Sequence, residues 1–300
     1  MTLVRGAFAD YLAPGAYAAY EDEYEQLPAS YPEVFNILTT SRAYEDVLIS
    51  TGLGTTPRKP EAQDVALDEP LPVGTVRMSV VSYGLGYEVS HEFVQDNLYG
   101  VVTDNGSKML AQSGRDTEER QAWALLNNSF TTQESYDGRP IVDTAHPLRG
   151  GGTYANEPAV AEALSFTSLQ ASLERHMLMT NERGLRIRQT PSMLVVPVQL
   201  SWLANELLGS AMKPFEASNT TNVMTAGRVG LKIVTSPYLT SPTAWWTLVP
   251  KGRHRLNFFW REKPNMDKDY DKKARVAMFM NFFRFGTVAF DWRGIDGSTG

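Results

Sequence analysis

From His91 to Asn128 the chain runs without a proline, behind a serine, Ser90, that suits the N-cap of a helix. Phe93, Val94, Leu98, Val101, Val102, Met109, Leu110, Ala124 and Leu125 recur at helical spacing, and Asp96, Asp104, Lys108, Arg115 and Glu119 can take the other side. A continuous helix over this stretch would be about 55 Å long at about 1.5 Å per residue. Gly106 and Gly114 are the places where it would bend or break. A rod of that length with one modest apolar stripe has to span a domain or brace a sheet, so the rest of the chain must be organised along it.

Upstream, residues 1–41 scatter Phe8, Tyr11, Tyr17, Tyr20, Tyr24, Tyr31 and Phe35 among acids, with prolines at 14, 28 and 32. The pattern predicts an arm with one short helix near 16–26, ended by Pro28, that needs another element to lie on. A strand-like run from Arg42 to Gly52 leads into TTPRKPEAQDVALDEPLPVG (55–74), which is rich in proline and charge and has almost nothing to bury. The chain returns through 75–90, where Tyr83, Leu85, Tyr87 and Val89 alternate with Gly84, Gly86, Glu88 and Ser90. This predicts a long two-stranded excursion with a polar tip. An isolated ribbon is marginal in water, so it should rest on another element or another subunit.

Downstream, Phe166, Leu169, Leu173 and Met177 mark an amphipathic helix, SMLVVP (192–197) a buried strand, and QLSWLANELLG (199–209) a second helix closed by Gly209. Strand-like runs follow at 229–239, 244–250 and 255–262. The run 274–294 alternates, with Val276, Met278, Met280 and Phe282 on one side, then Val288, Phe290 and Trp292 after a bulge at Gly286. The fold class is α+β.

Of the 300 residues, 42% are apolar and 21% charged, which gives a core and no reason for disorder. The chain has no cysteine, so disulfides, thiolate metal sites and cysteine nucleophiles are excluded. No apolar run of signal-peptide length follows Met1, and 274–292, the richest apolar stretch, is broken by Asn281, Arg284 and Asp291. The reading is a soluble protein. A net charge of −6 argues against a general nucleic-acid-binding surface. Acids dominate 10–70 and bases 251–275, which reads as two solvated faces or as an acidic region of one copy meeting a basic region of another.

The one stretch that invites a catalytic reading is IVDTAHPLRGGG (141–152). Asp143 and His146 have the chemistry of a base and its orienter or of two metal ligands, and a glycine-rich turn can present amides to an anion. The Walker spacing is absent, as are Gly-x-Ser-x-Gly and Gly-x-Gly-x-x-Gly. The four histidines, at 91, 146, 176 and 254, show no i, i+4 metal pair. His176 lies by an apolar stripe and reads as a core or boundary residue, His91 as part of a cap. The acids at 21–25 read as a solvated helix face rather than a cation site, and the aromatic run 278–292 as sheet core rather than a base-stacking platform. No catalytic, cofactor or metal residue is assigned.

The order of elements, together with the wording GRPIVDTAHP (138–147), PSMLVVPVQLSWLANELLGS (191–210), GRVGLKIVTSPYL (227–239) and DKKARVAMFMNFFRFGTVAFDWRG (271–294), resembles the major capsid proteins of tailed bacteriophages with the HK97-type fold, in their Mu-like major head subunit branch. The resemblance implies an N-arm over 1–41, an E-loop hairpin over 42–90, a P-domain with its long spine helix over 91–164 and 263–300, and an α+β A-domain over 165–262. It implies a structural protein, not an enzyme, that assembles with itself through pentamers and hexamers into an icosahedral shell around double-stranded DNA, without sequence-specific binding and without a membrane. It also implies a virion location after assembly in the host cytoplasm, a separate scaffolding protein, a portal and decoration proteins as partners, and an architectural role for Asp143 and His146. Lys59 lies where some relatives carry a cross-linking lysine, but 268–275 reads KDYDKKAR, and no covalent link is expected. The rival readings are an encapsulin-like compartment and a hydrolase using Asp143 and His146.

Overall fold

The computed structural model describes residues 8–95, 99–214, 220–225 and 230–300. The chain opens with α1 (Phe8–Gln26), β1 (Asn36–Thr39), β2 (Tyr44–Ser50), β3 (Pro72–Ser79) and β4 (Val81–Ser90). Next come α2 (His91–Gln95), α3 (Tyr99–Asn127), the short pair β5 (His146–Pro147) and β6 (Thr153–Tyr154), and α4 (Phe166–Leu178). It ends with β7 (Met193–Pro197), α5 (Ser201–Gly209), β8 (Lys232–Ser236), β9 (Trp245–Leu248), β10 (Leu256–Asp271), β11 (Val276–Ala289) and β12 (Ile295–Ser298).

The Ser90 hydroxyl accepts from the Phe93 amide at 3.3 Å, as an N-cap should. Asp96 and Leu98 lie outside the described residues, as do the side chains of Val94, Val101, Val102 and Asp104. α3 runs unbroken through Gly106 and Gly114. Both glycines serve close approach rather than bending: a Cβ on Gly106 would lie 2.8 Å from the Tyr87 ring, and one on Gly114 would lie 2.6 Å from Asn281 Nδ2. Met109 of the expected stripe is exposed, whereas Glu119, assigned to the wet side, is buried.

Glu118 and Glu119 bind the arm. Glu118 Oε1 accepts from Tyr24 Oη at 2.5 Å and its other oxygen from Arg115 at 2.8 Å, while Arg115 stacks 3.9 Å from the Tyr24 ring. Glu119 accepts from the Ser30 amide and hydroxyl and from Trp123 Nε1. The arm predicted to need a support therefore lies on the long helix. Bases of the 251–275 region also hold the arm of the same chain, Lys251 through the Pro32 carbonyl and Arg261 through the Ser41 carbonyl.

Two four-stranded sheets carry the rest, in the orders β1-β10-β11-β4 and β12-β9-β7-β8. Their shared core joins Trp123, Leu125 and Leu126 of α3 to Phe258, Phe283 and Phe285 of the first sheet and Val195, Trp246 and Leu248 of the second. Phe258 stacks on Tyr31 and on Phe285 with centroids 4.7 Å apart in each pair. Full burial of each such ring contributes about 1.5–3 kcal/mol.

Two strand expectations are corrected. The return through 75–90 divides at Val80: β3 pairs with β2, and β4 pairs with β11 in the first sheet. β10 continues through the charged 263–271 to form a long hairpin with β11, and the register slips twice on β10, at Arg261 and again around Pro264, which has no amide to donate, rather than at Gly286. The buried face of β11 carries Ala277, Phe279, Asn281, Phe283 and Phe285, so Val276, Met278, Met280 and Phe282 point outward. Both faces are apolar, and periodicity alone cannot decide which one is covered. Among the described residues no helix is long and apolar enough to cross a membrane.

Candidate functional site

The loop after α3 folds back through a turn and the β5–β6 pair, placing Asp137, Asp143, His146 and Asn156 together. His146 is fully buried and stacks on Trp292 with ring centroids 4.2 Å apart. Its Nδ1 meets Asp137 Oδ2 at 2.6 Å and its Nε2 meets Asn156 Oδ1 at 3.0 Å. The Asn156 amide nitrogen donates to the Ile141 and Ile295 carbonyls, so its oxygen accepts and His146 Nε2 is the donor. Asp143 is not the orienter of this histidine. Its Oδ1 accepts from the Ala145 amide at 2.9 Å, closing the turn, and its Oδ2 lies 3.6 Å from Arg139. A ring with both nitrogens engaged and no exposed surface has no lone pair to offer a substrate. The cluster ties the loop to the C-terminal strand.

His176 is buried, as expected of a core histidine, with Nε2 3.0 Å from Thr247 Oγ1. Burial pushes it down to about 4. Beside it, burial pushes the Asp296 carboxyl up to about 6 against the pull of Arg175, whose guanidinium donates at 2.6 and 2.9 Å. Among the described residues no three His, Asp or Glu side chains converge as a metal site.

Sequence reading missed the ribbon's anchorage. Buried Glu182 accepts from Tyr136 Oη and from Arg293, each at 2.5 Å, and from the Arg149 amide at 2.9 Å. Burial opposes ionisation of Glu182, but these donors outweigh it and hold its carboxyl below the ordinary value. Next to it, Arg183 donates to Asp68 Oδ2 and to the Glu69 carbonyl, each at 2.6 Å, and Arg149 donates to the Pro72 carbonyl. The Gly54 amide and then Arg183 hold the Asp68 carboxyl below its usual range. At the base of the ribbon, Met78 packs over Gly286, in a core with Phe259, Val288 and Phe290. No local signal marks Arg183 as the partner of Asp68, because the two are 115 positions apart.

Beyond these anchors the ribbon is bare. Residues 53–71 carry no regular structure, and Leu53, Val65, Leu67 and Leu71 are all exposed, Leu67 to 95%. Groups of this kind are surfaces for association, not for chemistry.

The sequence family described as "Phage capsid protein" matches residues 73–295. No curated protein matches the chain by sequence. Among solved structures, the chain is similar to the procapsid of bacteriophage JBD30, at 14% identity and TM-score 0.52, over 98% of this chain and 75% of that one. It is similar to the capsid of a native GTA particle, at 13% identity and TM-score 0.56, over 90% of each chain. A virus-like particle from Pyrococcus furiosus also matches, at 11% identity and TM-score 0.54, over 95% of this chain and 98% of that one.

Proposed function

The chain belongs to the phage capsid protein family, and from that premise we propose that it is the major head subunit of a tailed phage, self-assembling through pentamers and hexamers into an icosahedral shell. Its fold is the HK97-like capsid fold. The observation that carries the reading is the family match itself, which runs from β3 through the long helix and most of both sheets to the first residue of β12. The same match favours a phage head over an encapsulin-like compartment. We divide the chain as an N-arm (1–41), an E-loop (42–90), a P-domain (91–164 and 263–300) and an A-domain (165–262); β4 then leaves the E-loop to join the P-domain sheet.

In the virion the subunit would enclose double-stranded DNA. A chain of net charge −6 suits a container that does not grip its cargo. A separate scaffolding protein, a portal and decoration proteins complete the partners of this proposal, with assembly in the host cytoplasm; the Mu-like branch rests on residue wording alone.

Negative-stain electron microscopy with a sizing run tests it. Uniform polyhedral shells, tubes or capsomer rings are expected, and DNA inside shells recovered from infected or induced cells distinguishes a phage head from a cargo compartment. Protein that stays monomeric when co-expressed with its scaffold would overturn the reading.

A further inference from the structure

Where α3 crosses the first sheet, two of its glycines make room for the sheet's side chains in the same way, with different ends. Gly106 leaves space for the Tyr87 ring, whose hydroxyl meets the buried Ser107 hydroxyl at 2.9 Å. About two turns further along α3, Gly114 makes the same allowance for Asn281 of β11, the position of its missing Cβ lying 2.6 Å from Asn281 Nδ2. Here the polar group finds no counterpart. Asn281 is only 2% exposed, and its Oδ1 is buried without a hydrogen bond. Buried carboxamides are ordinarily satisfied, so one left open beside a space calls for an occupant.

The space is a cavity of about 220 Å³ between α3 and β4, an edge strand of the sheet. Leu85 and Tyr83 stand opposite Asn281 and Phe283 in the β4–β11 register and share their face. Tyr83 and Phe283 stack with centroids 5.6 Å apart as one wall, and Leu85, 55% exposed, stands at the mouth. On the helix side Thr117 commits its hydroxyl to the Ser113 carbonyl at 2.8 Å. Among the described residues none that lines the cavity is charged, so an ion would lose its water with nothing to replace it. Water alone can meet the carboxamide, but it leaves the Tyr83, Leu85 and Phe283 surfaces wetted. The room exceeds the roughly 150 Å³ of a cavity that takes up benzene. We infer that this cleft binds a small neutral molecule with an apolar ring and one hydroxyl, the ring against Tyr83 and Phe283 and the hydroxyl on the Asn281 carboxamide. A hydroxyl both accepts and donates, so it serves either end of the amide. Such a ligand bridges the long helix to the edge of the sheet. The site stands whether or not the chain builds shells.

Equilibrium dialysis of phenol against the full chain, in whatever assembly state it adopts, tests the site. Phenol should bind saturably and about fivefold more tightly than benzene, the difference that a single hydrogen bond supplies, and benzoate should not bind. Asn281→Leu keeps the size of the side chain and removes its polar end, so it should erase the preference for phenol over benzene. Leu85→Trp, at an exposed position, should close the mouth and abolish uptake of both molecules with an unchanged unfolding midpoint. The absence of saturable phenol binding to the unaltered chain overturns the site. Phenol uptake that survives Leu85→Trp, or a preference for phenol that survives Asn281→Leu, overturns it as well. If Asn281→Leu does not fold, the Leu85→Trp chain decides alone.

Discussion

His146 is held from three sides, by Asp137, Asn156 and the face of Trp292. Removing the ring leaves a buried carboxylate without its donor, leaves one donor fewer at an amide oxygen, and opens a void against an indole. Losses of this kind from a buried pair cost about 3–5 kcal/mol. Asp143, three residues before it, closes a turn with one backbone hydrogen bond and a long contact to Arg139, which is worth about 1 kcal/mol. His146→Ala should therefore destabilise the unassembled subunit several-fold more in free energy than Asp143→Ala, as read from urea unfolding midpoints. Equal losses would mean that the two residues act as a unit, which is what a catalytic pair would require. The sequence placed both residues in one loop but could not name Asp137 as the true partner, because the pairing is made by a turn that only the fold closes.

At the scale of elements, the base of the ribbon depends on a missing side chain. Gly286 of β11 lies under Met78 of β3, and a Cβ there would also lie 2.6 Å from the Ser79 carbonyl oxygen. Gly286→Ala should cost about 1–3 kcal/mol, the range for overpacking, and should loosen β2–β3 from the sheet, seen as faster amide exchange over 72–79. Adding Met78→Ala removes the flexible obstacle but not the carbonyl, so it should rescue only part of the loss; full rescue would show that the backbone yields. The alternation of β11 was plain in the sequence, but its polarity was not. Phe279 and Phe283 go in while Met280 and Phe282 stay out because α3 and α1 cover one face only, and both sets are equally greasy. The long helix, the elements from α4 to β9 and the proline-rich tip could be read because each depends on local spacing. The continuation of β10 through KPNMDKDYD could not, because its strand conformation comes from pairing with β11.

For the whole molecule, the question is what the exposed part of the ribbon does. Residues 55–66 precede the Asp68 and Glu69 anchors and contribute almost nothing to the subunit's own core. Replacing them with a Gly-Gly bridge shortens a surface loop, a change that costs little through loop entropy, of the order of 0.6 kcal/mol per doubling of length. The deleted subunit should be soluble and should unfold within about 0.5 kcal/mol of the full chain. In a closed shell, however, any contact the tip makes is made by every copy. An interface worth only about 1–2 kcal/mol per subunit, when multiplied over the assembly, decides whether the shell persists on dilution. The deletion should therefore spare folding and abolish shells stable enough to survive gel filtration at low concentration. Shells of unchanged stability would show that the tip is solvated spare chain.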